Sequence, residues 1–116
     1  VLLSTAAVRT GMANHEAVAA AKGGVEGLVR AAAATYAPKG IRVNAVAPGL
    51  VRTPMTARLT ASEPSEAAST AMHALGRLGE PDDIASAVIF LIDPANSWVT
   101  GQVLGVDGGL GSVRPR

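Results

Sequence analysis

The sequence predicts an α/β fold in which parallel strands alternate with helices, and three observations support this prediction. Three short apolar segments begin at Val1, Ile41 and Gln102, and each ends near proline, glycine or polar residues. Two longer segments with helical periodicity lie between them. The resulting order, strand–helix–strand–helix–strand, favours parallel pairing through right-handed crossovers. We therefore expect half of a doubly wound parallel sheet with three strands and two main helices.

The first two elements are a buried strand and a long helix. Residues 1–5, "VLLST", form a continuous apolar run of the kind found in strands buried on both faces. The helix is predicted from about Asn14, which can cap its first turn, to Ala37, just before Pro38. Its small residues, three glycines and a run of four alanines, predict a slim helix whose backbone lies close to the sheet or to another helix.

The remaining elements follow a proline–glycine turn. The second strand is predicted from Ile41 to Val46, and the polar residues 52–69 are expected to form a mobile lid or short helices. The second helix begins with proline at residue 81, a favoured first position. Its apolar residues Ile84, Val88 and Leu91 recur on one face. The third strand ends in a glycine turn, and Trp98 is expected to cover the core below it.

Composition excludes several classes of function. The chain has 116 residues, is 48% hydrophobic and carries a formal charge of +1, which is typical of one globular domain. Its basic residues are scattered singly, whereas nucleic-acid-binding proteins show a clustered basic surplus. Cysteine is absent, so disulfides and thiolate metal sites are excluded. No apolar run approaches the roughly 20 residues of a membrane span. We expect a cytoplasmic protein with neither nucleic-acid nor membrane partners.

Three segments should meet at one edge of the predicted sheet. Ligands of open parallel sheets bind beyond the carboxyl ends of the strands. Ser4 and Thr5 follow the first strand, the long helix starts nearby, and residues 47–53 follow the second strand. The strand order therefore brings two hydroxyl groups, a lysine at residue 22 and a rigid Pro-Gly turn to one place.

The chain resembles the C-terminal half of the short-chain dehydrogenase/reductases, and the resemblance covers essentially all of residues 1–116. Three segments match that family in order and at compatible spacing: "AAAKGGVEGLVR", "APKGIRVNAVAPGLVRTPM" and "GRLGEPDDIASAVIFLIDPANSWVTGQVLGVDGG". The resemblance implies a Rossmann-like fold, NAD or NADP as cofactor, and a small carbonyl compound or secondary alcohol as substrate. The alanine and glycine face of the long helix also favours helix-to-helix association, so we expect a homo-oligomer, a dimer or a tetramer.

The resemblance also assigns roles to residues. The family's lysine, which lowers the pKa of a catalytic tyrosine and holds the nicotinamide ribose, corresponds to Lys22. The tyrosine itself, four residues earlier, corresponds to Val18. The serine that binds the substrate carbonyl corresponds to Thr5, with Ser4 beside it. The loop that meets the nicotinamide carboxamide corresponds to Pro48, Gly49, Val51 and Thr53.

Valine cannot transfer a proton, so another group must do so if the protein is an enzyme. His15 lies three residues before Val18 and seven before Lys22, and it therefore shares a helix face with them. One hypothesis makes His15 a substitute proton donor, because imidazole titrates near neutral pH. The alternative is a solvent-exposed or capping histidine with no catalytic role. The only tyrosine, Tyr36, lies about 21 Å along the helix from Lys22, and His73 is expected at the surface.

Two functions remain open at this stage. The first is an oxidoreductase that transfers hydride between NAD(P)(H) and a carbonyl or secondary alcohol. The second is a catalytically silent subunit with a binding or structural role, which Val18 favours. Because Val1 lies inside a strand and no Gly-rich phosphate turn precedes it, we expect residues 1–116 to be the C-terminal part of one longer domain. We also expect this part to be inactive alone.

Overall fold

A three-stranded parallel sheet organises residues 1–114, the part of the chain that the computed structural model describes. Its strands are β1 (Leu2–Leu3), β2 (Ala45–Pro48) and β3 (Val103–Val106), in the order β1-β2-β3. In the register of the sheet, Leu2 pairs with Ala45, and Ala45 pairs with Val103. The predicted α/β class and the parallel arrangement of the three strands are confirmed.

Helices connect these strands as the sequence predicts. The α-helices are α1 (Ala7–Thr10), α2 (Glu16–Tyr36), α3 (Glu63–Ala71) and α4 (Pro81–Ile92). The two main helices are α2, which lies between β1 and β2, and α4, which lies between β2 and β3. Within residues 1–114 there are also three 3₁₀ turns, at Ala37–Lys39, Ala57–Thr60 and Pro94–Asn96. The polar residues 52–69 thus contain short helices, one of the two forms expected for them.

The second strand begins later than predicted, at Ala45 instead of Ile41. The preceding segment is bound mainly through side chains. The Arg42 guanidinium and the Asn44 amide both donate to the Val99 carbonyl, at 3.0 and 2.9 Å. These bonds hold the segment against the turn that follows α4, so a regular backbone ladder starts only at Ala45.

The first strand is less buried than its apolar sequence predicts. Leu2 is half-buried and Leu3 is 50% exposed, so the expected burial on both faces is wrong for residues 1–114. The physical reason is position, because β1 lies at one edge of the described sheet. Its inner side pairs with β2, and α2 packs against it.

The start of α2 also differs from the prediction. His15 is the N-cap residue, and no side-chain hydrogen bond caps the helix. Asn14 instead has a φ of 60°, in the left-handed region that asparagine tolerates better than most residues. The predicted cap is therefore wrong, because Asn14 forms the turn that precedes the helix.

The glycines of α2 do not serve close packing within residues 1–114. A Cβ atom added at Gly23, Gly24 or Gly27 would meet nothing within 4 Å. The expected close approach of this helix to the sheet at its glycines is thus wrong for the described residues. The face of α2 that does pack contains Glu26, Val29 and Ala33, which are buried.

The core lies between α4 and the sheet. Val46 on β2 and Leu91 on α4 are at most 2% exposed, and Ala87 completes the cluster. Partly buried apolar side chains surround them: Ile84, Val88, Val99 and Val106. The predicted apolar face of α4 (Ile84, Val88 and Leu91) is confirmed.

Trp98 does not cover this core. Its side chain is 98% exposed, so the prediction for this residue is wrong. The next residue, Val99, packs against the core instead. The turn that follows α4 thus directs Val99 inward and leaves Trp98 in solvent. Over residues 1–114, no helix has the length and apolar character needed to cross a bilayer.

Candidate functional site

Two hydroxyl residues follow β1 and have different environments. The Ser4 hydroxyl donates a hydrogen bond of 2.8 Å to Glu26 Oε1, and both residues are buried. The Thr5 side chain is only half-buried, and its Oγ1 accepts a long hydrogen bond of 3.3 Å from the Ala7 amide. Ser4 is thus held against α2, and Thr5 is the more accessible hydroxyl of the pair.

Lys22 reaches the end of β1 from α2. Its Nζ donates a 2.9 Å hydrogen bond to the Leu3 carbonyl, and its side chain is half-buried. Val18, Lys22 and Glu26 are spaced by four residues and share one face of the helix. This spacing explains why Lys22 and Glu26 both contact the β1 segment. The Lys22 ammonium group is therefore bonded to Leu3, the residue that directly precedes Ser4 and Thr5 in the chain.

Val18 lies in the helix turn before Lys22, and His15 is the N-cap residue of α2. Val18 is 45% exposed and presents only hydrocarbon. His15 is half-buried, and its Nδ1 lies 2.9 Å from the Ala13 carbonyl, to which it donates. With Nδ1 bonded to the backbone, Nε2 is the ring nitrogen that a proton transfer would use. The imidazole of His15 therefore lies about one helical turn before the hydrocarbon side chain of Val18.

The loop after β2 is fixed by backbone hydrogen bonds. Ala6 donates to the Pro48 carbonyl at 2.8 Å, and Gly49 donates to the Val106 carbonyl at 3.2 Å. The first bond joins the ends of β1 and β2, and the second joins the ends of β2 and β3. The structure thus brings Thr5, Lys22 and the start of the loop to one edge of the sheet, as predicted.

The second half of the loop is held by its own polar groups. Val51 forms an isolated parallel bridge with Gly79. The Thr53 hydroxyl lies 3.0 Å from the Thr56 hydroxyl, whose oxygen also accepts from the Thr53 amide at 3.0 Å. Thr56 donates in turn to the Val51 carbonyl. Thr53 therefore lies in a compact turn, where its side chain is half-buried.

His73 lies beneath this loop, so its predicted surface position is wrong. The residue is 2% exposed, and its Nε2 accepts a 3.1 Å hydrogen bond from the Leu50 amide. It lines a cavity of 410 Å³ beside the loop, together with residues that follow β3, among them Asp107 and Gly108. Both oxygens of Asp107 accept backbone amides of the Gly109–Gly111 turn, which confirms the predicted turn at 107–109.

Ion pairs fix the segments around the cavity. Arg77 donates two hydrogen bonds to the Asp83 carboxylate, at 2.7 and 2.8 Å, and the Glu80 amide donates a third at 2.8 Å. The hydrogen bonds from Arg77 hold the pKa of Asp83 well below its usual range, and the Glu80 amide makes the next largest contribution to this lowering. In the same way, the hydrogen-bonded guanidinium of Arg52 lowers the pKa of Glu66. Arg52 also lies 3.3 Å from Glu80, the N-cap residue of α4, so its ion pairs connect the loop to α3 and to the start of α4.

Sequence reasoning missed two features near the site, the contact of Glu26 with Ser4 and the burial of His73. Glu26 could have been found, because it lies four residues after Lys22 and hence on the same helix face. His73 gave no such signal. Its burial depends on the two turns that follow β2 and β3, which meet only in the folded chain.

Comparison with known proteins supports the same assignment. Residues 1–111 match the family model described as enoyl-(acyl carrier protein) reductase. The chain is 48% identical over 103 residues to cis-4-hydroxycyclohexanecarboxylate dehydrogenase of Sinomonas cyclohexanicum, a match that covers 89% of this chain and 41% of that protein.

Solved structures agree with this match. A short-chain type dehydrogenase/reductase from Mycobacterium ulcerans has a TM-score of 0.90 at 34% identity, over 97% of this chain and 41% of that one. The protein ElxO, solved with NADP bound, has a TM-score of 0.87 at 34% identity, over 96% of this chain and 45% of that one. The chain thus spans about two fifths of the length of these relatives. It belongs to the short-chain dehydrogenase/reductase family.

Proposed function

We propose that this chain forms the catalytic side of an NAD(P)-dependent oxidoreductase that interconverts a carbonyl compound and a secondary alcohol. The observation that supports the proposal best is the arrangement at the sheet edge. Lys22 binds the Leu3 carbonyl at 2.9 Å, next to Thr5, and the Ala6–Pro48 hydrogen bond ties this segment to the loop after β2. One ammonium group, one accessible hydroxyl and one rigid loop therefore lie together.

The residues fit a nicotinamide nucleotide on chemical grounds. An ammonium group has three donors, and the one bond of Lys22 to the Leu3 carbonyl leaves two for a ribose. The loop offers the Val51 backbone and the half-buried Thr53 hydroxyl to a carboxamide. Pro48 and Gly49 set the course of its backbone. The cofactor supplies hydride when bound, and the structure of the relative ElxO with NADP bound supports this choice.

Thr5 is the hydroxyl that we assign to the substrate carbonyl. Its side chain is accessible, whereas the neighbouring Ser4 donates its proton to buried Glu26. Ser4 thus supports the end of β1, and Thr5 donates to the carbonyl oxygen on which negative charge develops. The substrates that we propose are small molecules, of the kind represented by the hydroxycyclohexanecarboxylate of the Sinomonas relative.

His15 is our candidate for the proton donor. Val18 cannot transfer a proton, and the imidazole lies one helical turn before it, with Nδ1 bonded to the Ala13 carbonyl. We expect His15→Ala to reduce the rate of carbonyl reduction, whereas the neighbouring change Glu16→Ala leaves it unchanged. Equal rates for wild type and His15→Ala would remove the histidine from the mechanism.

A specific observation also supports a second function. Val18, at the position where the family carries its catalytic tyrosine, is 45% exposed and offers no polar atom. A silent subunit that binds a dinucleotide without chemistry would tolerate this residue. The two functions differ in one result, since both predict dinucleotide binding but only the enzyme predicts hydride transfer.

Binding is tested first, by titrating the complete protein with NADPH and NADH and following nicotinamide fluorescence. Lys22→Ala is expected to weaken binding, because the ribose loses its ammonium partner. Lys39→Ala is the matched control, since Lys39 lies near Tyr36 at the end of α2, outside the site. No binding by wild type would contradict both proposed functions.

We also propose that the protein is a homo-oligomer, and that α4 and β3 supply part of the interface. Large apolar side chains of these elements and of the turn between them are exposed by more than a third: Ile89, Phe90, Ile92, Trp98 and Leu104. Exposed apolar surface of this extent is typical of protein interfaces.

The proposed cytoplasmic location rests on the family and is tested by cell fractionation.

A further inference from the structure

His73 connects three segments of the chain through its imidazole ring. Nε2 accepts the Leu50 amide proton at 3.1 Å, and Nδ1 lies 2.8 Å from the Ser69 carbonyl near the end of α3. The Leu75 amide, two residues later, donates to the Gly108 carbonyl at 3.0 Å. The ring and its segment therefore join the loop after β2, the helix α3 and the turn after β3.

The two ring hydrogen bonds require one tautomer. The Leu50 amide can only donate, so Nε2 must carry the lone pair. The Ser69 carbonyl can only accept, so Nδ1 must carry the proton. A neutral ring with its proton on Nδ1 satisfies both partners, and no other form of histidine does.

Two glycines make room for the ring. A Cβ atom at Gly49 would lie 2.8 Å from His73 Nε2, and one at Gly108 would lie 3.3 Å from His73 Cβ. Gly49 belongs to the loop after β2, and Gly108 belongs to the turn after β3. The histidine is therefore enclosed by backbone from both turns, which explains its exposure of only 2%.

This environment excludes direct catalysis by His73. Both ring nitrogens are bonded to the protein backbone, so neither can exchange a proton with a substrate. The partly buried Leu50 amide gains a partner that a hydrocarbon side chain could not provide, and leaving it without one would cost free energy. The ring therefore determines where the Leu50 amide lies, in the middle of the loop from Pro48 to Thr53.

We propose that His73 is a positioning residue for the nicotinamide-binding loop. Gly49 is bonded to the Val106 carbonyl and Val51 is paired with Gly79, and by holding the Leu50 amide the ring fixes the backbone between these two points. This inference rests on the proposed function, because it assigns a cofactor to that loop. On this inference, His73 contributes to cofactor affinity although it lies outside the loop.

The experiment compares two substitutions in the complete protein. His73→Leu removes the acceptor but keeps an apolar side chain of moderate size, and His73→Gln restores an acceptor oxygen near the position of Nε2. Leu91→Ala, a change in the core cluster that Leu91 forms with Val46 and Ala87, controls for general loss of stability. The readouts are amide hydrogen exchange at Leu50 and the Kd for NADPH and NADH.

We expect His73→Leu to exchange the Leu50 amide at least about fivefold faster and to bind dinucleotide at least about fivefold more weakly. His73→Gln should recover most of both, and Leu91→Ala should change neither selectively. Unchanged exchange at Leu50 in His73→Leu, or unchanged Kd despite faster exchange, would overturn the inference. If wild type binds no dinucleotide, the proposed function and the cofactor role of His73 both fail, and exchange at Leu50 still shows whether the ring holds the loop.

Discussion

Val18 limits the chemistry that this helix face can perform. It lies four residues before Lys22, at the position where a proton-transferring side chain would act together with the ammonium group. General acid–base catalysis contributes typically about 10²–10⁴-fold to a rate. A protein with valine here should therefore be slow unless His15 replaces the missing group.

Restoring the phenol tests this directly. We expect Val18→Tyr to raise kcat for carbonyl reduction by about 10²-fold or more, because the phenol can donate the proton next to Lys22. Val18→Phe is the matched control, since it adds the same ring without the hydroxyl. Steady-state kinetics of both variants provide the measurement. An equal effect of the two rings would show that ring size, and not proton transfer, determines the rate.

The Ser4–Glu26 pair supports the same region. Ser4→Ala would leave a buried carboxylate without its 2.8 Å donor, which we expect to cost about 1–3 kcal/mol in the free energy of unfolding. Combining it with Glu26→Leu, which removes the carboxylate, should cost less than the sum of the single changes. Urea unfolding of the four proteins in this cycle gives the coupling. Strict additivity would contradict an energetic role for the bond.

Single residues were predicted with mixed success, for physical reasons. The positions of Lys22 and Thr5 at one sheet edge follow from strand order and helix spacing, which the sequence carries. The predictions for His73 and Trp98 were wrong, because His73 is buried and Trp98 is exposed. The exposure of each side chain depends on how turns from distant parts of the chain meet. The local sequence does not determine this.

At the scale of elements, the start of α4 is stabilised by Asp83. Arg77 donates two hydrogen bonds to this carboxylate, and the Glu80 amide donates a third. These bonds hold the native pKa of Asp83 well below its usual range. The ionised carboxylate therefore stabilises the native state at pH values above its unfolded-state pKa of about 4. This contribution is lost as the pH falls from there toward the native pKa.

A pH series checks this sign. We expect Asp83→Asn to lower the midpoint of thermal unfolding at pH 7, and we expect the difference from wild type to shrink as the pH is lowered below about 4. Asp82→Asn, the same change of charge in the same helical turn, is the matched control. A difference between Asp83→Asn and wild type that stays constant down to strongly acidic pH would contradict the assigned ion pair.

Element identity was predicted better than element boundaries. Both main helices and the three parallel strands follow from apolar periodicity and from proline and glycine positions. The shift of the second strand from Ile41 to Ala45 comes from Arg42 and Asn44, whose side chains bind the Val99 carbonyl. Such long-range side-chain contacts compete with a backbone ladder and leave no periodic pattern.

At the scale of the whole molecule, the exposed apolar side chains of α4 and its neighbours support the proposed homo-oligomer. We expect the double change Phe90→Asp and Trp98→Ser to shift the protein toward monomer, because it places charge and polarity on the proposed interface. Sedimentation velocity measures the shift. Met55→Ser removes another highly exposed apolar side chain, 91% accessible, from the loop after β2 and serves as control. An unchanged oligomer in the double variant would rule out this surface as the interface.

The overall architecture was predictable because it depends on the order of elements. Strand–helix–strand–helix–strand order restricts the fold to parallel pairing, and the crevice then lies at the carboxyl ends of the strands. Which side chains face the crevice required the structure. The clearest example is the contrast between Ser4, bonded to Glu26, and the accessible Thr5.

Hydride transfer is the most direct test of the central claim. The complete protein is incubated with NADPH or NADH dideuterated at C4 of the nicotinamide and with a small cyclic ketone, and the alcohol product is examined by mass spectrometry. The proposed oxidoreductase predicts one deuterium on the carbinol carbon, with much less label in Lys22→Ala than in Lys39→Ala. Dinucleotide binding without any labelled alcohol, across a range of carbonyl substrates, would contradict the enzyme and favour the silent binding subunit.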